Sequence, residues 1–213
     1  LKLTKKGIDD GVALEVVQSL GVKMKYDVSH ANFGGNRMSS KGLSAILSQF
    51  EMSRLQVLNL SGNPISDQGI KVLCGDMLPS ELNLQNCSIE NDGVVILAIA
   101  MEELSCRLRR LNIRRNKVTD IGAVRIARAI ERNDMLNVLN ISGNALTRNG
   151  ASQLARAALK SKNVMKDLIL VSRDKELETE LDLDKGIMMS VFEMRRALKH
   201  RNLGLKSRCE NTI

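Results

Sequence analysis

The sequence predicts an open α/β solenoid of about seven coils, a leucine-rich horseshoe with a parallel β-sheet on its concave face and α-helices on its convex face. Three observations carry that expectation. Five segments fit the string L-x-x-L-x-L-x-x-N/C-x-L: Val28-Ala31-Phe33-Asn36-Met38, Leu55-Leu58-Leu60-Asn63-Ile65, Pro79-Leu82-Leu84-Cys87-Ile89, Leu108-Leu111-Ile113-Asn116-Val118 and Leu136-Leu139-Ile141-Asn144-Leu146. A glycine follows each last apolar position by four residues: Gly42, Gly69, Gly93, Gly122 and Gly150. After each glycine an apolar stripe runs at i, i+3, i+4, i+7, the spacing of one buried helix face.

The elements follow in order. Leu1, Leu3 and Ile8 with Ala13-Val16-Val17-Leu20 read as a degenerate first coil, with Lys6 in the Asn position and Val12 in the Gly position. Its strand would begin at the first residue, which is not Met, and repeat arrays need capped ends, so the array is expected to extend upstream. Alternating apolar and polar residues predict strands near 30–34, 57–61, 81–85, 110–114, 138–142 and 167–171. The helical stripes read Leu43-Ile46-Leu47-Phe50, Ile70-Leu73-Cys74-Met77, Val94-Leu97-Ala98-Met101, Ala123-Ile126-Ala127-Ile130 and Ala151-Leu154-Ala155-Ala158. Each template Asn should sit in a tight turn and hydrogen-bond the backbone of its own and the adjoining coil, with Cys87 doing so weakly. The 24-residue interval from Asn63 to Cys87 is short beside the following 29 and 28; Met77-Leu78-Pro79 must end that helix early. Met165-Leu168-Leu170 begins a last strand with Arg173 in place of Asn, then comes the charged stretch SRDKELETELDLD and a helix from about Gly186 to His200. The chain thus divides into a repeat array, 1–164, and a modified last coil and cap with a basic tail, 165–213.

Composition narrows the function. Hydrophobic and charged residues make up 43% and 26% of 213 residues, the balance of a folded domain. No apolar run approaches the length of a membrane span, and the first residues lack a signal-peptide core. Cys74, Cys87, Cys106 and Cys209 form no C-x-x-C pair, which leaves no metal site expected. Cys74 and Cys87 read as buried reduced thiols, so the expected compartment is the reducing cytoplasm. The N-x-S strings at Asn59, Asn86 and Asn140 read as by-products of the repeat. The net charge of +8 is concentrated: Arg107 to Arg132 holds nine Lys/Arg against Asp120 and Glu131, and Arg195 to Arg208 holds six with no acid. His30 and His200 lie at opposite ends of the chain. With no phosphate-binding loop and no triad spacing, the chain is read as having no catalytic residues and no cofactor. Asp67, Asp92 and Asp120 are expected to cap their own helices.

The strand–glycine–helix order and the intervals near 28 residues resemble the ribonuclease-inhibitor-like leucine-rich repeats. The resemblance covers about residues 1–171. It implies a rigid curved platform that binds protein, usually in the cytoplasm, as a scaffold or adaptor in a larger assembly, cytoskeletal or ciliary among them. A small-GTPase regulator resembling the Ran activator is the alternative within that group, although an acidic tail would be expected there and this tail is basic. A nucleic-acid or ribonucleoprotein role through the basic patches is a further alternative. It is weakened because Tyr26, Phe33, Phe50 and Phe192 are the whole aromatic complement and provide no stacking platform.

Two sets of residues stand out as partner-binding candidates. The centre of each L-x-L points to the concave face, and it is Asn59, Asn83, Asn112 and Asn140 in successive coils, a row of amide donors and acceptors. One coil adds Arg110, Arg114 and Arg115, three guanidiniums suited to carboxylates or phosphates, so the expected partner is a protein with an acidic surface. On the convex side, Ile96 and Ile99 occupy positions that are mostly polar in other coils. An apolar patch there marks either a contact or a coil that has sunk and buried them.

Overall fold

The structure, a computed structural model, describes residues 1–20, 26–161, 167–170 and 188–190. Six helices alternate with short strands: α1 (Asp10–Leu20), β1 (His30–Asn32), α2 (Ser40–Leu47), β2 (Val57–Asn59), α3 (Ser66–Cys74), β3 (Glu81–Asn83), α4 (Asn91–Glu102), β4 (Arg110–Asn112), α5 (Asp120–Arg132), β5 (Val138–Asn140), α6 (Arg148–Lys160), β6 (Asp167–Ile169) and β7 (Met188–Ser190). The strands form one sheet in sequence order, β1 to β6 parallel and in register, so that Asn32, Asn59, Asn83, Asn112, Asn140 and Ile169 align in one column. Parallel neighbours require a crossover, and here each crossover is the helix that packs behind the sheet. The degenerate first coil is present: Lys2 bridges Asn32, and Leu3 N–H donates to Asn32 O at 2.7 Å. At the other end β7 pairs antiparallel to β6. Residues 188–190 were expected inside a helix; they are a strand instead. The rest of that expected helix, Arg173, the charged stretch from 172, Cys209, the basic run from Arg195 and the division at 164/165 lie outside the described residues.

The core fills the space between sheet and helices. Ala31, Leu58, Leu82, Leu111, Leu139 and Leu168 point inward from the strands, each at most 2% exposed. Phe33 and Phe50 stack at 6.2 Å between ring centroids. The template asparagines tie one coil to the next. Asn116 donates through Nδ2 to Ile113 O of its own coil and Leu84 O of the preceding one, both at 2.9 Å, while its Oδ1 accepts from Cys87 N–H and Ile89 N–H. Asn36, Asn63 and Asn144 do the same with their neighbours. A buried backbone donor left without an acceptor costs about 1–3 kcal/mol, so one amide per coil secures several groups that no strand or helix reaches.

Cys87 keeps half of that function. Its Sγ donates to Leu60 O at 3.3 Å, but sulfur is a poor acceptor. The backbone that an Asn would have served rearranges: Ile65 N–H turns back to Asn63 O at 2.8 Å, and Ser66 adopts φ +57. Helix α3 starts from Ile65 and α4 from Glu90 with no side-chain cap, whereas Ser39, Thr119 and Thr147 cap α2, α5 and α6.

A second ladder runs along the helix N-termini and corrects one expectation. Asp67 and Asp120 do not cap their own helices; they cap the next coil's. Asp67 Oδ1 accepts from Glu90 N–H, and Asp120 accepts from Thr147 N–H and its hydroxyl. Asp92 is exposed, and the neighbouring Asn91 takes the role, accepting from Thr119 N–H and Gly122 N–H. Asp10 does the same for Ser39 and Gly42. Desolvation would raise the Asp10 carboxyl, but the Ser39 and Gly42 hydrogen bonds and the Lys41 charge outweigh it and hold the group below its ordinary 3.8. The ladder also explains the repeat glycine. A Cβ at Gly93 would meet Asp67 Oδ1, and one at Gly150 would meet Asp120 Oδ1. Glycine is kept there for close approach.

The short coil departs most from the pattern. Helix α3 has 9 residues, close to the 8 of α2, against 12 in α4 and 13 in α5 and α6. It ends at Cys74, several residues before Pro79. Met77, placed on the core stripe by periodicity, is therefore 38% exposed, and Cys74 is half-buried rather than buried. The gap is spanned by Arg107. Its guanidinium donates to four carbonyls: Nε to Leu78 O at 3.1 Å, Nη1 to Ser53 O at 2.6 Å, and Nη2 to Met52 O and Leu55 O at 2.7 and 2.9 Å. One side chain thereby joins three coils, which only the planar fork of Arg allows.

Candidate functional site

The concave sheet face forms a hollow of about 640 Å³ lined by Asn59, Asn83, Asn112, Asn140 and Arg110 among others. Each of these asparagines turns its Oδ1 to the N–H two residues on, in Ser61, Gln85, Arg114 and Ser142, at 3.0–3.1 Å. These are Asx turns that end the strands. The amide oxygen is thus committed to the fold. Among the described residues the Nδ2 groups make no hydrogen bond, which leaves a half-buried row of donors, one per strand, on strands that are spaced about 4.8 Å apart in a sheet.

The three arginines are not equivalent. Arg110 lines the hollow, 59% exposed at its side chain, with Glu81 of the preceding strand 3.7 Å away; an exposed pair at that distance holds it weakly. Arg114 and Arg115 are exposed in the turn beyond β4 and do not line the hollow. Arg115 has φ +56, a position filled by Gly35, Gly62 and Gly143 in other coils, by Asn86 in the short one and by Lys5, φ +53, in the degenerate first coil. Its stem lies over Gly143, where a Cβ would meet Arg115 Cγ at 3.2 Å. A left-handed backbone costs a β-carbon residue about 1 kcal/mol, so this arginine is held at the rim against a local preference.

The structure sorts the rest of the basic run. Arg107 is committed to carbonyls. Lys117 pairs with Glu90 at 2.8 Å, Arg132 with Glu102 at 2.6 Å, and Lys160 with Glu131 at 3.6 Å. Arg114, Arg115, Arg125 and Arg128 have no ion pair among the described residues. Unpaired cations among the described residues of this run thus stand at Arg109, on the concave rim and on α5.

Ile96 and Ile99 lie on the opposite side of the solenoid. Ile96 is half-buried against the core, and Ile99 is 50% exposed. They line a groove of about 460 Å³ with Met77, Leu78, Cys74 and Cys106, opened by the early end of α3. The coil did not sink far enough to bury them. Burial raises the thiols: Cys74 to about 11, with a further contribution from Cys106, and Cys87 to about 12. Sequence reasoning missed Arg107 and the second ladder. Arg107 shares its template position with residues as unlike as Leu78 and Met135, and its partners are carbonyls up to 55 residues away. The ladder was traceable in the recurrence of Asp or Asn near the start of each helix. Among the described residues no group of His, Cys, Asp and Glu could hold a metal ion, and no helix is long and apolar enough to cross a membrane.

Comparison with known proteins finds these likenesses. A family model described as Leucine Rich repeat matches residues 53–74, 105–127 and 132–155, three of the coils seen here. A mouse protein, NACHT, LRR and PYD domains-containing protein 4C, is 33% identical over 82 residues; the match takes in 36% of this chain and 8% of that protein's length. A solved structure titled Leiomodin-1 Actin-Binding Site 2 overlays with a TM-score of 0.47 and 13% identity, over 92% of this chain and 95% of that one. Leucine-rich repeats typically act as non-enzymatic modules for binding protein. The repeat motif, the sheet of parallel strands with a helix per coil, and the family match over three coils together mark the array as built of leucine-rich repeats.

Proposed function

We propose that the concave face is the principal docking surface, that the partner is a protein presenting acidic side chains, and that the chain serves as a scaffold or adaptor in a cytoplasmic assembly. The observation that carries this reading is the cluster at one coil: Arg115, left-handed and without an ion pair among the described residues at a position that is glycine in three other coils, beside Arg114 and the hollow that Arg110 lines. Strain retained at a surface turn points to function rather than stability. Carboxylates entering the hollow would meet the Arg110 guanidinium and the Asn Nδ2 row, giving charge-assisted hydrogen bonds. Three unbridged thiols, Cys74, Cys87 and Cys106, support a reducing compartment.

The test compares the wild-type chain with Arg110→Glu/Arg114→Glu/Arg115→Glu in affinity capture from nuclease-treated lysate with quantitative mass spectrometry. The reading expects partners that disappear with the reversal, whose binding weakens with salt. An unchanged partner set would contradict it. Partners lost on nuclease treatment alone would favour nucleic acid instead.

A further inference from the structure

We infer that the convex groove beside α4 is a second docking site, distinct from the concave face, and that it takes a short basic segment anchored by an aliphatic side chain. The groove floor is apolar: Ile96, half-buried, and Leu78, buried, with Met77 and Ile99 exposed at its lip. Leu104 stands fully exposed between two lining residues, Glu103 and Ser105. An aliphatic side chain entering here would cover surface that the short coil leaves open, and each buried methylene is worth about 0.8 kcal/mol.

The rim sets the charge of the occupant. Asp76 and Glu103 both line the groove, both are exposed, and neither has an ion pair among the described residues. No Lys or Arg lines it. On a chain of net charge +8 this is a local acidic frame around an apolar floor. An acidic segment would meet repulsion, and a neutral one would leave both carboxylates unanswered. A segment with Lys or Arg on either side of a Leu or Ile matches both features. Cys74 and Cys106, in the same lining, provide a built-in reporter.

The test uses the full chain and two synthetic 14-residue peptides, one alternating Leu with Lys and one alternating Leu with Glu. Binding is measured by calorimetry, and occupancy by mass spectrometry of Cys74 and Cys106 alkylation. The inference expects the Leu/Lys peptide to bind and to slow labelling of both thiols, and the Leu/Glu peptide to do neither. Ile99→Arg should weaken binding at least about tenfold. Asp76→Asn/Glu103→Gln, which preserves shape, should weaken it and remove its salt dependence, while concave charge reversal leaves it intact. Binding that ignores all groove variants, or leaves both thiols equally reactive, overturns the proposal. So does a concentration-dependent dimer abolished by Ile99→Arg with no peptide binding, which would assign the groove to a second copy.

Discussion

The coil closed by Cys87 and the coils closed by Asn116 and Asn144 use one template with different results. The regular coils take 29 and 28 residues, carry helices of 12 and 13, and are tied by an amide that donates to two coils and accepts from a third group. The Cys87 coil takes 24 residues, has a helix of 9, and is tied by a thiol that donates to Leu60 O and accepts only weakly, from the Asn63 and Gly62 N–H groups. The difference shows what the template asparagine contributes. Its carbonyl, more than its shape, holds the turn of the preceding coil; without it Ile65 N–H turns inward and Ser66 goes left-handed. It also shows how an irregular coil is tolerated: Arg107 reaches back across it, and the space that remains becomes a groove.

The largest effect is expected at the clamp. Arg107→Ala removes four charge-assisted hydrogen bonds and should lower the unfolding free energy by about 3 kcal/mol or more in urea titration. Arg107→Lys should recover only part, because an ammonium cannot span all four carbonyls. Asn116→Ala or Asn144→Ala should each cost about 2 kcal/mol. Cys87→Asn tests the comparison from the other side: supplying the missing acceptor should raise stability by about 1 kcal/mol. A loss there would show that the short coil has no room for the regular pattern.

Smaller effects separate strain and titration from packing. Arg115→Gly should stabilise by about 1 kcal/mol by relieving the left-handed backbone while weakening capture of an acidic partner. A stability loss would mean that the Arg115 stem over Gly143 matters more than the strain. The raised thiols predict pH dependence at the alkaline end. Cys87 and Cys74 keep their protons in the folded state above the ordinary 9.0 at which unfolded thiols ionise. Their contribution is complete below 9.0 and is lost as pH rises toward the folded values near 11 and 12. Cys87→Ala with Cys74→Ala should flatten that part of a denaturation-versus-pH curve. Asp10 acts at the acid end: its lowered pKa contributes stability above 3.8 that is lost as pH falls through the folded value.

The solenoid was legible because its cause is local and repeated. The L-x-L alternation placed every strand of the array to within its last two residues, and Leu43, Ile70, Val94, Ala123 and Ala151 fell on buried helix faces as spacing required. What repeats do not encode was harder to read. Arg107 acts across 55 residues at a template position where other coils carry Arg54, Leu78 and Met135, so the repeat itself signals nothing there. Met77 and Cys74 fit the stripe by spacing, but their helix ends before the stripe does. The concave column was placed correctly, yet which atom of each Asn is already committed depends on a hydrogen bond two residues away that the sequence does not show.

Hydrogen exchange read by mass spectrometry tests most directly whether the short coil is an irregularity held shut by Arg107. In the wild-type chain, backbone amides from 52–55 and 76–81 should be protected comparably to those of β4 and α5. In Arg107→Ala the same amides should exchange at least about tenfold faster, with 138–158 unchanged. Equal exchange in both proteins would contradict the account and leave the groove a feature of packing alone.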